Sequence, residues 1–151
     1  MKYLIIVLVI GLALAPLLHF LPSKRQRAIA GLRESAAVAG LFVEFRDLPG
    51  EPPAYSTASA RDRQLIYYGA RLPPSRGKQT RAGSWLRESE QWRGLDRAYI
   101  TPAQLADMPP QVLAASVDEA SCGVYWREDG DAAVVEDIVR LISAWRDEIV
   151  G

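Results

Sequence analysis

The feature that most constrains this chain is an uncharged apolar run at its N-terminus, from Tyr3 to Leu21. In a helix these residues would rise about 28 Å, close to the hydrocarbon thickness of a bilayer. A cleaved signal peptide is the competing interpretation, since Ala13-Leu14-Ala15 has the small residues of a cleavage site. Pro16 directly after that site, and the apolar residues beyond it, favour a retained transmembrane helix over residues 1–22.

Basic residues flank this run unequally. Only Lys2 precedes it, whereas the residues that follow include Lys24, Arg25, Arg27 and Arg33. The positive-inside rule therefore predicts a single-pass protein of the bacterial inner membrane. Its N-terminus would lie outside, and its C-terminal domain would lie in the cytoplasm.

A pair of small residues lies within the run. Gly11 and Ala15 are four residues apart, the spacing at which small side chains let a second membrane helix approach closely. The hypothesis is that this pair contacts the helix of a protein partner in the membrane.

Residues 23–151 are predicted to form one α+β domain. Ser23 and Gln26 fit a capping box that begins a helix, and Gly40 is placed to end it. Strands are predicted at 41–46, 64–72, 111–117 and 122–127, with a flexible loop at 47–60. A short helix is predicted after residue 101, and apolar residues at helical spacing predict a last helix over 134–149. This order favours helices packed on a small mixed or antiparallel sheet.

Two scarce residue types limit the chemistry of this domain. The sequence has one cysteine, Cys122, and one histidine, His19 in the apolar run. The counts exclude a disulfide within the chain and a zinc site of cysteines and histidines. They also exclude Ser-His or Cys-His catalysis after residue 22. Gly77-Lys78 lacks the rest of a phosphate-binding loop, because Gln79 stands where Ser or Thr is required. No cofactor and no metal site are predicted.

Charge is distributed unevenly, although 18 basic and 18 acidic residues balance overall. Residues 1–100 hold 15 basic and 8 acidic residues, and residues 101–151 hold 3 and 10. Between positions 63 and 87 there is no acid, and the six basic residues are Arg63, Arg71, Arg76, Lys78, Arg81 and Arg87. This basic segment could face the acidic half of the fold, contact anionic lipid, or bind nucleic acid through its interleaved aromatic residues. Nucleic acid is the least favoured of the three, because the net charge is zero.

The residues after the apolar run carry a family resemblance. Pro22-Ser23-Lys24-Arg25-Gln26-Arg27, following an N-terminal span, resembles small single-pass bacterial inner-membrane proteins labelled as the YajC accessory subunit of the Sec preprotein translocase. The resemblance covers the anchor, the basic residues after it and the helix up to Gly40. It implies one span, a cytoplasmic body and a role beside the translocase, and it carries over no functional residue.

Three function hypotheses follow. The leading one is a non-enzymatic, membrane-anchored interaction module, with the Sec translocase or another inner-membrane complex as its partner. The alternative is a module that binds anionic lipid or nucleic acid through the basic segment 63–87. The third is an enzyme that uses only carboxylates and arginines, a class that needs neither histidine nor cysteine.

Overall fold

The computed structural model describes residues 2–18, 23–50, 64–74 and 82–151. By its internal contacts the chain divides into two compact units, Met1–Gly31 and Leu32–Gly151. The first helix, α1, covers Lys2–Leu18, and the second, α2, covers Lys24–Val38. The capping box is confirmed at the start of α2. The Gln26 N–H donates to Ser23 Oγ (3.2 Å), and the Ser23 N–H donates to Gln26 Oε1 (2.8 Å).

Helix α1 corrects the prediction of a membrane anchor. It has 17 residues and therefore rises about 26 Å, less than the roughly 30 Å hydrocarbon core of a bilayer. Of the helices in the described ranges, none combines the length and the apolar character needed to cross a membrane. The predicted transmembrane helix over residues 1–22 is therefore wrong, as are the single-pass inner-membrane location and the orientation derived from it. Residues 19–22, where the predicted span ended, lie outside the described residues.

Helix α2 ends where the sequence predicted. Gly40 has a φ of 89°, a left-handed conformation that glycine adopts at no steric cost. The Gly40 N–H donates to the Ala37 carbonyl, and the Leu41 N–H donates to the Ala36 carbonyl, both at 3.0 Å. This pair of bonds is the Schellman motif, which satisfies the last carbonyls of a helix and turns the chain sharply. The first strand therefore begins two residues after the glycine.

A six-stranded antiparallel sheet forms the centre of the second unit. Its strands in chain order are β1 (Phe42–Asp47), β2 (Gln64–Arg71), β3 (Gly83–Glu88), β4 (Gln91–Gly94), β5 (Val112–Val117) and β6 (Ser121–Trp126). Their order in space is β1-β2-β6-β5-β3-β4. A 3₁₀ helix (Ala103–Asp107) precedes β5, and α3 (Ala132–Val150) follows β6. The α+β class predicted for residues 23–151 and the four predicted strands are confirmed, and the sheet is of the antiparallel kind.

Residues 84–92 lie in the hairpin of β3 and β4. The turn at Ser89 and Glu90 folds the chain back, so that Arg87 lies directly opposite Trp92. Trp85 is two residues before Arg87 in β3, and Trp85 and Trp92 therefore lie on the same face of the hairpin. Trp85 and Trp92 are seven residues apart, a spacing that would also place them on one face of a helix, but here a hairpin brings them to the same face. The predicted loop at 47–60 falls largely on residues 51–63, which lie outside the described residues.

Helix α3 packs on one face of the sheet, which we name the helix-covered face. Its buried side chains are Val135, Ile138, Leu141, Ile142 and Trp145, as the apolar spacing predicted. The largest buried cluster joins them to alternate strand residues such as Tyr68, Val124 and Trp126. Asp131 caps the helix by accepting the Val134 N–H at 3.2 Å. On the opposite side, the second face, a smaller cluster contains only strand and strand-end residues within the described part of the chain.

Candidate functional site

Strand β1 is one of the two outer strands of the sheet. All six of its residues pair with β2 in one continuous register, from Phe42 opposite Gly69 to Asp47 opposite Gln64. Within the described ranges no strand pairs with its other edge. In an antiparallel strand alternate residues direct their N–H and C=O groups to opposite sides, so half of the β1 backbone points away from β2. An edge of this kind can accept a further strand.

The side chains of β1 make this edge unusual. Phe45 lies on the helix-covered face and is nevertheless 68% exposed, whereas Val43 on the same face is half-buried. The Arg33 guanidinium lies 5.4 Å from the centre of the Phe45 ring, which is cation–π distance. One side of the ring therefore contacts α2, and the remainder of the ring faces solvent.

The other outer strand, β4, is protected in ways that β1 is not. It has four residues, and Trp92 is half-buried beneath the Arg87 guanidinium, which lies 5.6 Å from its ring. Gly94 follows, and the Leu95 N–H donates to the Ser84 carbonyl at 2.9 Å. Short strands are one means by which proteins prevent edge-to-edge association. Of the two edges, β1 is the longer and carries the more exposed aromatic residue.

Arg33 is held in place by a buried carboxylate. Its guanidinium donates two hydrogen bonds to Glu128, at 2.7 and 2.6 Å, and the Tyr68 hydroxyl donates to the same carboxylate at 3.1 Å. The Glu128 side chain is 5% exposed. The hydrogen bond to Glu128 raises the pKa of Arg33. Because the bonds are bidentate and charge-assisted, they fix the position of the guanidinium beside Phe45.

Glu128 has a backbone conformation that supports this role. Its φ is 53°, in the left-handed region that residues other than glycine rarely occupy. Asp131 in the same turn caps α3, but Glu128 instead pairs with an arginine 95 residues away. No local signal in the sequence could have predicted that long-range pair.

On the second face Tyr67 lies flat on the sheet. Gly69 and Gly123, which are paired across β2 and β6, leave the space for its ring. A Cβ built on Gly123 would come within 2.7 Å of Tyr67 Cζ. The Arg46 guanidinium covers the other side of the ring at 4.0 Å, and Tyr125 meets its edge with ring centres 4.9 Å apart. These contacts account for the complete burial of Tyr67. Glycines inside two strands are the sequence signal for such a close approach.

Hydroxyl groups form a row beside this ring. The Tyr67 and Ser121 hydroxyls are 3.4 Å apart, and those of Ser116 and Tyr125 are 3.3 Å apart. The Ser121 hydroxyl donates to the Asp118 carboxylate, with Oδ2 at 3.2 Å. Burial raises the pKa of Tyr67 above the ordinary phenol value, which keeps its hydroxyl protonated and able to donate a hydrogen bond. The row therefore acts as a hydrogen-bonded structural element between strands.

The structure places two of the six predicted basic residues, Arg71 and Arg87. Arg71 is exposed on the second face, with its guanidinium 5.2 Å from the centre of the Phe42 ring. Arg87 is on the helix-covered face and donates to the carbonyls of Met108 (3.0 Å) and Pro109 (2.7 Å). Two strands, β6 and β5, separate their parent strands, so these two residues do not form one patch. The predicted positions outside the described residues are Arg63, Arg76, Lys78 and Arg81.

The remaining predicted positions show no second site. Gly11 and Ala15 lie within α1, and a Cβ built on Gly11 would meet nothing within 4 Å; contact with a partner helix stays a prediction. Cys122 is fully buried, and burial raises the pKa of its thiol to about 12. In the described ranges no three metal-ligating side chains lie together. The expectations of no enzyme activity and no cofactor stay predictions.

Comparison of the chain with family models, with curated proteins and with solved structures gave no match. The resemblance to the YajC subunit therefore stays a prediction. The β1 edge, with Phe45 and its arginine support, is the candidate functional site.

Proposed function

We propose that this chain is a non-enzymatic protein-interaction module that binds a partner polypeptide along β1. The observation that carries the proposal is a six-residue outer strand, continuously paired on one side, that carries a phenylalanine exposed at 68%. Main-chain hydrogen bonds to the edge would supply affinity, and alternate side chains would supply specificity. Arg33 and Glu128 serve as positioning residues, because they hold one side of the Phe45 ring.

The charged residues of β1 bear on specificity. Glu44 and Arg46 alternate with Val43 and Phe45 along the strand and project from the second face. The Arg46 guanidinium contacts Glu44 and lies 3.7 Å from the Asp118 carboxylate. A partner strand would have to present charges that match this pattern, since like charges directly opposite each other are destabilising. The edge therefore favours particular partners over general aggregation.

The test is site-specific crosslinking at the edge in intact cells. A photoreactive phenylalanine analogue replaces Phe45 in one version of the chain and Ile100, which is 89% exposed elsewhere, in the control. We expect a discrete adduct at position 45 whose crosslinked peptide maps to a strand of the partner. Because of the resemblance described above, subunits of the preprotein translocase are the first candidates to examine. Equal adduct yields from positions 45 and 100 would overturn the proposal.

The second candidate is a module that binds anionic lipid or nucleic acid. The favouring observation is that the guanidinium groups of Arg46 and Arg71 lie 5.7 and 5.2 Å from the Phe42 ring on the second face. Arg71 is exposed and has no ion pair within the described residues. Base stacking is disfavoured at Tyr67, whose ring is fully buried. Binding to anionic vesicles or oligonucleotides that falls steeply with salt, and that Arg71→Ala weakens, would support this candidate.

A further inference from the structure

We infer that the strand which pairs with β1 is β1 of a second copy of this chain, arranged antiparallel about a two-fold axis at Phe45. The inference rests on the proposed function, because it names the partner of the same edge. Its support is a self-complementary pattern of charge and exposed apolar surface in residues 43–47.

Symmetry restricts the registers available to such a pair. In antiparallel strands, two residues directly opposite each other have their side chains on the same face of the sheet. Neighbouring residues of one strand have side chains on opposite faces, so in a symmetric pair residue i cannot lie opposite residue i+1 of the other copy. The two-fold axis, which is perpendicular to the sheet, must therefore pass through a position where one residue lies opposite the same residue of the second copy. An axis at Glu44 would place two glutamates opposite each other, and an axis at Arg46 would place two arginines opposite each other. An axis at Phe45 places Glu44 of each copy opposite Arg46 of the other.

The Phe45 register also brings together the most exposed apolar side chain of each strand. It brings the two Phe45 side chains, each 68% exposed, together on the helix-covered face. Val43, which is half-buried, would face Asp47 of the second copy. In each copy the Arg33 guanidinium lies 5.4 Å from the centre of the Phe45 ring and contacts one side of it. The part of the ring that remains exposed would be covered by the Phe45 ring of the second copy. Aromatic pairs and opposite charges are the cross-strand combinations that stabilise antiparallel strands.

The pairing has a consequence for the whole sheet. Two six-stranded sheets would become one continuous sheet, and both of its outer strands would be β4. That strand is the shorter of the two edges and is partly covered by Arg87. Dimerisation through β1 would therefore remove the longer open edge from each copy.

A single engineered cysteine tests the register. The chain has one natural cysteine, Cys122, which is buried, so Phe45→Cys supplies the reactive thiol. Two differently tagged copies of the full chain carrying Phe45→Cys are expressed together and oxidised mildly in cells, with a short bismaleimide used in parallel. Ile100→Cys in both copies is the matched control. We expect a crosslinked species that carries both tags and exceeds the control about tenfold, since opposite residues lie within crosslinking distance.

The possible results separate this inference from the proposed function. A position-45 adduct with both tags supports self-pairing. A position-45 adduct with one tag and a different protein overturns self-pairing and leaves the interaction module standing. Adducts no more abundant than those of the Ile100→Cys control overturn self-pairing, and the photocrosslinking at position 45 then decides whether the interaction module stands.

Charge exchange provides an independent measurement. Glu44→Arg alone and Arg46→Glu alone each place like charges opposite each other twice, and we expect each to weaken self-association about tenfold in sedimentation of the purified chain. Mixing the two single variants restores unlike pairs at both positions, so heterodimers should form with the affinity of the unaltered chain. A purely structural role of these residues would not produce this rescue. Circular dichroism first establishes that each variant is folded, and failure of folded variants to form heterodimers would overturn the register.

Discussion

The helix-covered face and the second face of the same sheet differ in what excludes water from them. On the helix-covered face, five apolar side chains of α3 are buried in one cluster with Tyr68 and the strand tryptophans Trp85 and Trp126. On the second face no helix residue joins the cluster within the described part of the chain. There Tyr67 is fully buried between two strand glycines and the Arg46 guanidinium.

This difference shows two routes to burial on one sheet. The helix-covered face depends on apolar volume, which is lost when a side chain is shortened. The second face depends on space kept clear in the backbone, so it should be sensitive to side chains that are added. Polar side chains have a role on both faces, but Glu128 on the first anchors Arg33, whereas the hydroxyl row on the second links strands. This comparison can be tested by shortening a buried side chain on the helix-covered face, by adding a methyl group on the second face, and by measuring the free energy of unfolding in each case.

The largest effect is expected from shortening Ile138 on α3. This residue is completely buried between the helix and the sheet. Ile138→Ala should lower the free energy of unfolding by about 2–5 kcal/mol, through lost burial and the cavity left behind. Val150→Ala on the same helix is the control, since Val150 is 48% exposed and should change the free energy by less than about 0.5 kcal/mol. Urea unfolding followed by tryptophan fluorescence measures both, and equal losses would contradict the role assigned to the helix-covered face.

The next effect is expected from adding one methyl group beneath Tyr67. A Cβ on Gly123 would lie 2.6 Å from Gly69 Cα and 2.7 Å from Tyr67 Cζ, closer than the backbone allows without shifting. Gly123→Ala should therefore cost about 1–3 kcal/mol of unfolding free energy. The matched control is Gly31→Ala in α2, where the added Cβ meets nothing within 4 Å and alanine gains up to about 1 kcal/mol of helix propensity. If Gly123→Ala left the free energy of unfolding unchanged, packing on the second face would not depend on the absence of a side chain at this position.

Local patterns were sufficient for the parts of the fold that depend on neighbouring residues. The capping box at Ser23, the left-handed Gly40 and the apolar spacing of α3 each act within one or two turns of a helix. The hairpin of β5 and β6 is local in the same way, since Asp118 accepts the N–H groups of Ala120 and Ser121 within the turn. Each of these features is fixed by contacts only a few residues apart.

The candidate site depends on contacts that no local pattern contains. The exposure of Phe45 follows from the outer position of β1, and that position is set by the pairing of β2 with β6, more than fifty residues later. Arg71 and Arg87 are close in sequence, but strand order and the two-residue strand period place them on opposite faces. The charges at Glu44 and Arg46 were the one available indication, because charged residues are typical of outer strands.

Glu128 should show a smaller effect on the helix-covered face. Glu128→Gln retains the shape of the side chain but removes the charge that accepts two hydrogen bonds from Arg33. We expect a loss of about 1–2 kcal/mol, the lower part of the range for hydrogen bonds to charged groups, because the Arg33 side chain is 36% exposed. Asp129→Asn, an exposed residue of the same turn, is the control and should be nearly neutral. If both changes cost the same, the buried pair would not be what holds Arg33.

The smallest effect, and the one that depends on pH, is expected at Tyr67. At pH 7, Tyr67→Phe should cost less than about 1 kcal/mol, because the contact of its hydroxyl with Ser121 is long, at 3.4 Å. Burial raises the pKa of Tyr67 above the value of about 10 expected in the unfolded chain. Above pH 10 the unfolded chain therefore loses this proton while the folded chain keeps it, and the unfolding free energy falls as pH rises.

Each such group contributes a slope of at most about 1.4 kcal/mol per pH unit. The phenylalanine variant lacks one ionising group, so its unfolding free energy should fall less steeply above pH 10 and overtake that of the unaltered chain. Urea titrations at pH 7, 10 and 11 would measure the two slopes, with Tyr99→Phe as a half-buried control. Parallel slopes for Tyr67→Phe and the unaltered chain would mean that the Tyr67 hydroxyl reaches solvent, and the second face would then be more open than the flat position of this ring implies.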